Sequence, residues 1–291
     1  MPSDLEAARA RVRVLVPTGL GLNCEEETAQ GFRMCGAHVD LVHIADVLDD
    51  ARGRRIAGYH ILALVGGFAF GDHLGAGVVY ANRLRYRALD ALLRFVEGGG
   101  LVLGICNGFQ TMVKLGLVPA VGGHYATQQA TLAANDRLGY RDAWITVRAE
   151  PASPCVWTRG IDTMDLPSRH GEGKFMAASP ELLDRIESDH LVALRYVDDR
   201  GEPTQSWPAN PNGSEHAIAG VCDPTGRLLG LMPHPDAFLY GFSHPSWPRR
   251  KLRGRLPAEG DGVRVFRNGV DHVTRRLSGS TEATRAGDSQ P

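Results

Sequence analysis

Three short segments carry the residue types that a cysteine-based acyl-transfer site needs. The first is Leu101-Val102-Leu103-Gly104-Ile105-Cys106-Asn107-Gly108-Phe109-Gln110. An apolar run ends at a thiol, with a glycine two residues to either side. This is the cysteine form of a nucleophile elbow. The turn strains its central residue, so close neighbours must lack side-chain bulk. The thiol stands at a helix N-terminus, where backbone N–H groups favour the thiolate. A cysteine nucleophile needs a base, and the base needs a group that orients it. The second segment, Gly230-Leu231-Met232-Pro233-His234-Pro235-Asp236, supplies both. Asp236 lies two residues beyond His234, so on an extended backbone the two side chains share a side. Pro233 and Pro235 stiffen that stretch. The third segment is Val65-Gly66-Gly67-Phe68-Ala69-Phe70-Gly71-Asp72. Its glycines let backbone approach a ligand, and Gly67 N–H pairs naturally with Asn107 N–H as an oxyanion hole.

These segments need a scaffold that presents them at one edge. Residues 11–17, 38–44, 59–65 and 101–105 read as strands by their apolar runs. Residues 24–35 read as a helix, with three acids in the first turn and Gly36 as a stop. Apolar positions at helical spacing predict further helices over 85–97 and 109–115. Alternation of strand and helix predicts an α/β fold with a doubly wound, mainly parallel sheet and helices on both faces. Residues 122–167 look less regular, with one strand at 143–147. Later strands are expected over 191–197, 217–222 and 228–232, the last two joined by the hairpin turn Asp223-Pro224-Thr225-Gly226. A closing helix over 263–277 completes a single domain of residues 1–277, and residues 278–291, nearly free of apolar side chains, read as a disordered tail.

The 291 residues are 43% hydrophobic and 22% charged, ordinary values for a globular chain. A net charge of −1 argues against a general nucleic-acid-binding surface. No apolar run is long enough for a membrane span, and the first thirteen residues lack the apolar core of a signal peptide. The five cysteines, Cys24, Cys35, Cys106, Cys155 and Cys222, are odd in number and widely spaced, without a CxxC pair. Neither a disulfide framework nor a metal site is expected, and the chain reads as a cytoplasmic enzyme with reduced thiols. The run Arg249-Arg250-Lys251-Leu252-Arg253-Gly254-Arg255, beside Phe242 and Trp247, is either a solvated loop or a docking surface.

GGFAFGD, GICNGFQ, HGEGKF and MPHPD, in that order, resemble the glutaminase subunits of phosphoribosylformylglycinamidine synthase, which are class I, triad-type glutamine amidotransferases. The resemblance covers roughly residues 12–277, with insertions near 122–167 and 237–260. It implies a flavodoxin-like fold and hydrolysis of L-glutamine to glutamate and ammonia for purine biosynthesis. It also implies a larger ATP-dependent synthase subunit, with or without a small bridging subunit. No cofactor is expected in this chain; ATP and magnesium belong to the partner. Carried over by position, Cys106 is the nucleophile, His234 the base and Asp236 the third triad member. Gly67 and Asn107 form the oxyanion hole, and Gln110, Arg169, His170 and Gly171 bind substrate, the last three within a segment whose backbone holds the α-amino and α-carboxylate groups. Asp236 stands where the family usually has Glu, and Val65, Ala69 and Phe70 where Pro, Ser and Tyr are common. An amidotransferase feeding another acceptor, an impaired glutaminase kept as a scaffold subunit, and a stand-alone cysteine hydrolase or chaperone of this broad fold are the alternatives; the HP-acid segment argues against the last.

Overall fold

The protein is described by a computed structural model, which covers residues 4–49, 54–137 and 139–287. Nine strands form one sheet in the order β2-β1-β3-β4-β11-β10-β9-β6-β7. β1 (Arg13–Thr18), β2 (His38–His43), β3 (Ile61–Leu64), β4 (Leu101–Ile105) and β11 (Leu228–Leu231) all run parallel. β3, β4 and β11 are buried along their whole length, as expected of strands covered on both faces. From β11 the same sheet continues antiparallel through β10 (Ile218–Cys222), β9 (Val192–Tyr196), β6 (Arg141–Ala149) and β7 (Thr163–His170). The parallel character expected from the sequence therefore belongs to one half, and that half carries the elbow. The β10–β11 turn closes with Gly226 N–H donating to Asp223 C=O at 2.9 Å. β5 (Ala130–Ala134) and β8 (Glu172–Ala177) form a separate antiparallel ribbon.

Helix α2 (Glu25–Met34) packs with α10 (Val263–Gly287). Phe32 meets Phe266 edge-on there, with ring centroids 4.9 Å apart. The short helices α3 (Ile44–Leu48) and α4 (Arg54–Ala57) lie between β2 and β3, and α8 (Pro180–Ser188) precedes β9. Helix α5 (Val78–Arg87) contacts both α6 (Leu89–Glu97) and α7 (Asn107–Leu115), and α7 lies against β3, β4 and β11. Right-handed crossovers put this second group on the opposite face from α2.

Several boundaries differ from the sequence reading. The single helix expected over 85–97 is two helices broken at Ala88, whose φ of −136° is not helical. The first of them starts seven residues earlier, at Val78. Residues 122–167 hold β5, β6 and half of β7 rather than one strand. β6 extends to both sides of 143–147, because Ile145, Val147 and Ala149 alternate inward past its polar residues. An amino-terminal helix, α1 (Asp4–Ala10), carries Arg9, which pairs with Asp271 of α10 at 2.7 Å. The closing helix runs to Gly287, so the tail expected at 278–291 is helical in its first ten residues. Residues 288–291 lie outside the described residues. Residues 237–260 include a short helix, α9 (Trp247–Leu252), and Leu252 is 90% exposed. Among the described residues no helix is long and apolar enough to cross a membrane.

Candidate active site

β4 and β11 are adjacent and parallel, with Ile105 opposite Leu231. Cys106 N–H continues the ladder by donating to Leu231 C=O at 2.8 Å. The elbow and the His234 segment therefore leave the sheet side by side. Cys106 sits at φ 50°, ψ −103°, between β4 and the first residue of α7. This is a conformation that a side chain adopts only under constraint. The constraint is packing: a Cβ at Gly104 would collide with Met112, and one at Gly108 with the carbonyl oxygen of Leu64.

His234 is 4% and Asp236 3% exposed. His234 Nδ1 lies 3.3 and 3.4 Å from the two carboxylate oxygens of Asp236. Burial pushes the His234 ring toward the neutral form, but the charges of Asp236 and Cys106 outweigh it, so its pKa stands well above the usual value. Its Nε2 is buried without a hydrogen-bond partner, as is Asp236 Oδ1. The Cys106 thiol donates to the backbone oxygen of Arg169 at 3.4 Å. His234 N–H donates to Pro167 C=O at 2.7 Å. β7, at the far edge of the sheet order, thus curls back over the site and braces both groups.

The oxyanion loop is held by two devices. Asn23 N–H bonds Gly66 C=O, and Phe68 N–H bonds Gly21 C=O at 2.8 Å. These two bonds skip Gly67, leaving its N–H out of that pairing. Gly67 has φ +139°, and a Cβ there would press on Gly21 and Leu22. The Asn107 side chain then ties the loop to the elbow. Its Oδ1 accepts from Ala69 N–H at 3.1 Å, and its Nδ2 donates to Asp72 at 3.1 Å and to Gln110 Oε1 at 3.0 Å.

A cavity of about 290 Å3 gathers the expected residues: Gly67, Cys106, Gln110, Arg169, His170, Gly171 and His234 all line it. Asn107 and Asp236 stand behind its wall. Gln110 already uses its amide on Asn107 and on the Glu172 carbonyl oxygen. Arg169 offers the site its backbone, while its guanidinium turns out to Asp142 at 3.5 Å. His170 is held by Ser168 at 3.3 Å and Asn212 at 3.0 Å. Burial, with the nearby His234 charge, pushes its pKa down to about 3, so it stays neutral. Cys24, Asp72, Tyr140 and Glu172 also line the cavity, and the sequence reading gave none of them a role. Asp72 and Glu172 lie inside the GGFAFGD and HGEGKF segments, which could have flagged them; nothing local to Cys24 could.

Residues 11–273 match the family model of the CobB/CobQ-like glutamine amidotransferase domain. The chain is 41% identical over 261 residues to a phosphoribosylformylglycinamidine synthase subunit PurQ of Dehalococcoides mccartyi, a match covering 90% of this chain and 97% of that protein. It belongs to the PurQ family of glutamine amidotransferases. A PurQ subunit of Methanococcus maripaludis is 38% identical over 270 residues, covering 90% and 98% of the two chains. The structure of PurLQS from Thermotoga maritima contains a chain similar to this amidotransferase with a TM-score of 0.64 at 25% identity, covering 90% of this chain and 99% of that one. The match spans both halves of the sheet, so the family likeness includes the antiparallel strands that brace Cys106 and His234.

Proposed function

We propose that this chain is the glutaminase subunit of a phosphoribosylformylglycinamidine synthase in de novo purine biosynthesis. The observation that carries the reading is one cavity shared by a thiol on a strained elbow and a buried histidine that Asp236 backs. Cys106 sulfur attacks the side-chain amide carbon of L-glutamine, and His234 takes the thiol proton. The developing oxyanion lies between the N–H groups of Gly67 and Asn107. His234 then returns the proton to the leaving nitrogen, releasing ammonia and a glutamyl thioester. Water attacks the thioester with His234 as base, freeing glutamate and the thiol. Asp72 and Glu172 give one wall of the cavity carboxylates suited to the substrate α-ammonium, and the 169–171 backbone faces its carboxylate.

The ammonia passes to a larger synthase subunit, which holds ATP and magnesium. The arginine-rich insertion is its candidate contact: Arg249, Arg250, Arg253 and Arg255 line one depression of about 420 Å3. Arg250 is engaged at home, with Asp165 and His244 each at 3.2 Å, which leaves the exposed Arg249, Arg253 and Arg255 as the more available cations. Mixing the chain with its cognate synthase tests the reading. Glutamine should then support phosphoribosylformylglycinamidine formation, and ammonia should replace glutamine when Cys106 is changed to Ala. Ammonia-dependent synthesis with no glutamine turnover in the intact complex would instead identify a scaffold subunit.

A further inference from the structure

We propose that Cys24, His234 and Asp236 form a binding site for a thiophilic divalent metal ion of the zinc class, and that metal bound there turns the glutaminase site off. A thiol sulfur, a ring nitrogen and a carboxylate oxygen from these residues all lie within 4.8 Å of one another. They reach one point from separate places. Cys24 precedes α2, while His234 and Asp236 follow β11. The backbone of Gly66 lies beneath both: a Cβ there would stand 2.9 Å from His234 Cε1 and 3.1 Å from Cys24 Sγ.

The donor set is a zinc set. Thiolate, imidazole and carboxylate bind at about 2.0–2.3 Å around a tetrahedral ion, which puts neighbouring ligand atoms roughly 3.3–3.8 Å apart. The His234–Asp236 separations of 3.3 and 3.4 Å already match such an edge and are long for a charged hydrogen bond. The two edges to Cys24 are at most 4.8 Å, so closing them takes a shift of no more than about 1–1.5 Å by a side chain at a helix start. Three protein ligands leave a fourth position open, as in exchangeable zinc sites. Asp236 Oδ1 is buried and makes no hydrogen bond, only the long 3.3 Å contact with His234 Nδ1. A metal held between Asp236 Oδ1 and His234 Nδ1 would supply the interaction that this long contact lacks. Cys106 lies outside the group, although it lines the same cavity. On binding, the Cys24 thiol proton and the extra proton of a charged His234 ring pass to solvent, and no electron transfer is involved. The metal draws on His234 and Asp236 together, so the ring can no longer take the Cys106 proton under carboxylate control.

The consequence for activity rests on the glutaminase reading, whereas metal binding rests on geometry alone, and the two are tested separately. Cobalt(II) added to the intact chain should give one thiolate-to-cobalt charge-transfer band, displaced by zinc. Cys24→Ser should abolish the band, Asp236→Asn should weaken cobalt binding about tenfold or more, and Cys106→Ser should keep it, with thermal melts confirming that each variant is folded. No band in the unaltered chain, a band that survives Cys24→Ser, or one lost in Cys106→Ser would overturn the site. In the synthase complex, zinc should inhibit glutamine hydrolysis and a chelator should restore it. Cys24→Ser should be at least about tenfold less sensitive, measured against its own zinc-free rate. Equal zinc sensitivity in that variant would overturn the switch while leaving the cobalt result to decide the site.

Discussion

Replacing Asp236 tests the site at its weakest contact. The carboxylate lies 3.3–3.4 Å from His234 Nδ1, beyond the 2.7–2.9 Å of a good charged hydrogen bond. It is nonetheless one of the charges that raise the His234 pKa against burial. Asp236→Asn keeps the shape and removes the charge. A hydrogen bond to a charged group is worth about 1.5–3 kcal/mol, so glutamine turnover should fall about tenfold to a hundredfold. The His234 pKa should fall as well, because burial, which favours the neutral ring, then meets less opposition. Asp236→Glu acts in the other direction. One further C–C bond extends the side chain by about 1.5 Å, and a cavity of about 540 Å3 lies along Asp236 to take the longer side chain. Closing the separation from 3.4 Å to about 2.8 Å gains about 1 kcal/mol at an effective dielectric of 20, roughly fivefold in rate before any packing cost. The assay is glutamate release by the assembled complex, beside an NMR titration of the His234 ring. An Asn variant with unchanged turnover and an unchanged ring titration would refute the triad assignment.

A glutamine-mimicking diazo-ketone should label Cys106 faster than Cys24, Cys35, Cys155 or Cys222, as read by mass mapping; label found mainly on another thiol would remove Cys106 as nucleophile. Gly67→Ala should lower kcat about a hundredfold or more with a smaller change in KM, because its φ of +139° and the contact with Gly21 force the loop to move; normal kcat would show that Gly67 N–H does not face the oxyanion. His170→Gln should flatten the acid side of the stability profile. Its folded pKa, near 3, lies below the unfolded value of about 6.5. The unfolded chain therefore binds a proton that the folded one refuses, and stability falls as pH drops through that window, by a few kcal/mol. Urea midpoints at several pH values check this, and identical acid slopes in both proteins would refute it. Arg249→Glu with Arg253→Glu should weaken association with the synthase in sedimentation or pull-down with purified subunits, and unaltered association would move the docking face elsewhere.

The parts of the site legible in the sequence were those written in consecutive residues. Leu101–Ile105 is a strand because five buried positions in a row fit a strand covered on both faces, and Gly104 and Gly108 mark the elbow because their missing side chains are filled by Met112 and the Leu64 backbone. The His234–Asp236 spacing is equally local. The illegible parts depend on contacts across the chain. Asn107 was expected to offer its backbone, yet its side chain also fastens the loop at Ala69, 38 residues away. Cys24 reaches His234 only because the Gly19–Asn23 turn folds against Gly66 and Gly67, and no spacing rule links positions 24 and 234. The break at Ala88 escaped for a related reason: apolar periodicity reports which face is buried, not where one helix yields to the next.

These long-range contacts also explain why the site should depend on a partner. The thiol donates to the Arg169 carbonyl oxygen, His234 Nε2 feels Cys106 without a close hydrogen bond to it, and the His234–Asp236 contact is long. Two of these gaps lie between segments, the elbow after β4, the end of β7 and the turn after β11, while the His234–Asp236 gap lies within that turn. A side-chain rotation at one residue cannot close all three. A shift of the β7 end relative to β4 and β11 would act on the thiol and on His234 at once, since Pro167 already bonds His234 N–H and Arg169 already bonds the thiol. Catalytic hydrogen bonds often tighten only in the working complex. A synthase that moved the β7 end would therefore act on nucleophile and base together. The sign of this coupling is measurable: on docking, Cys106 alkylation should accelerate while the thiol loses its bond to Arg169. Equal alkylation rates in the free chain and the complex would mean that the β7 brace is static and that any activation arises at the Gly67 loop instead.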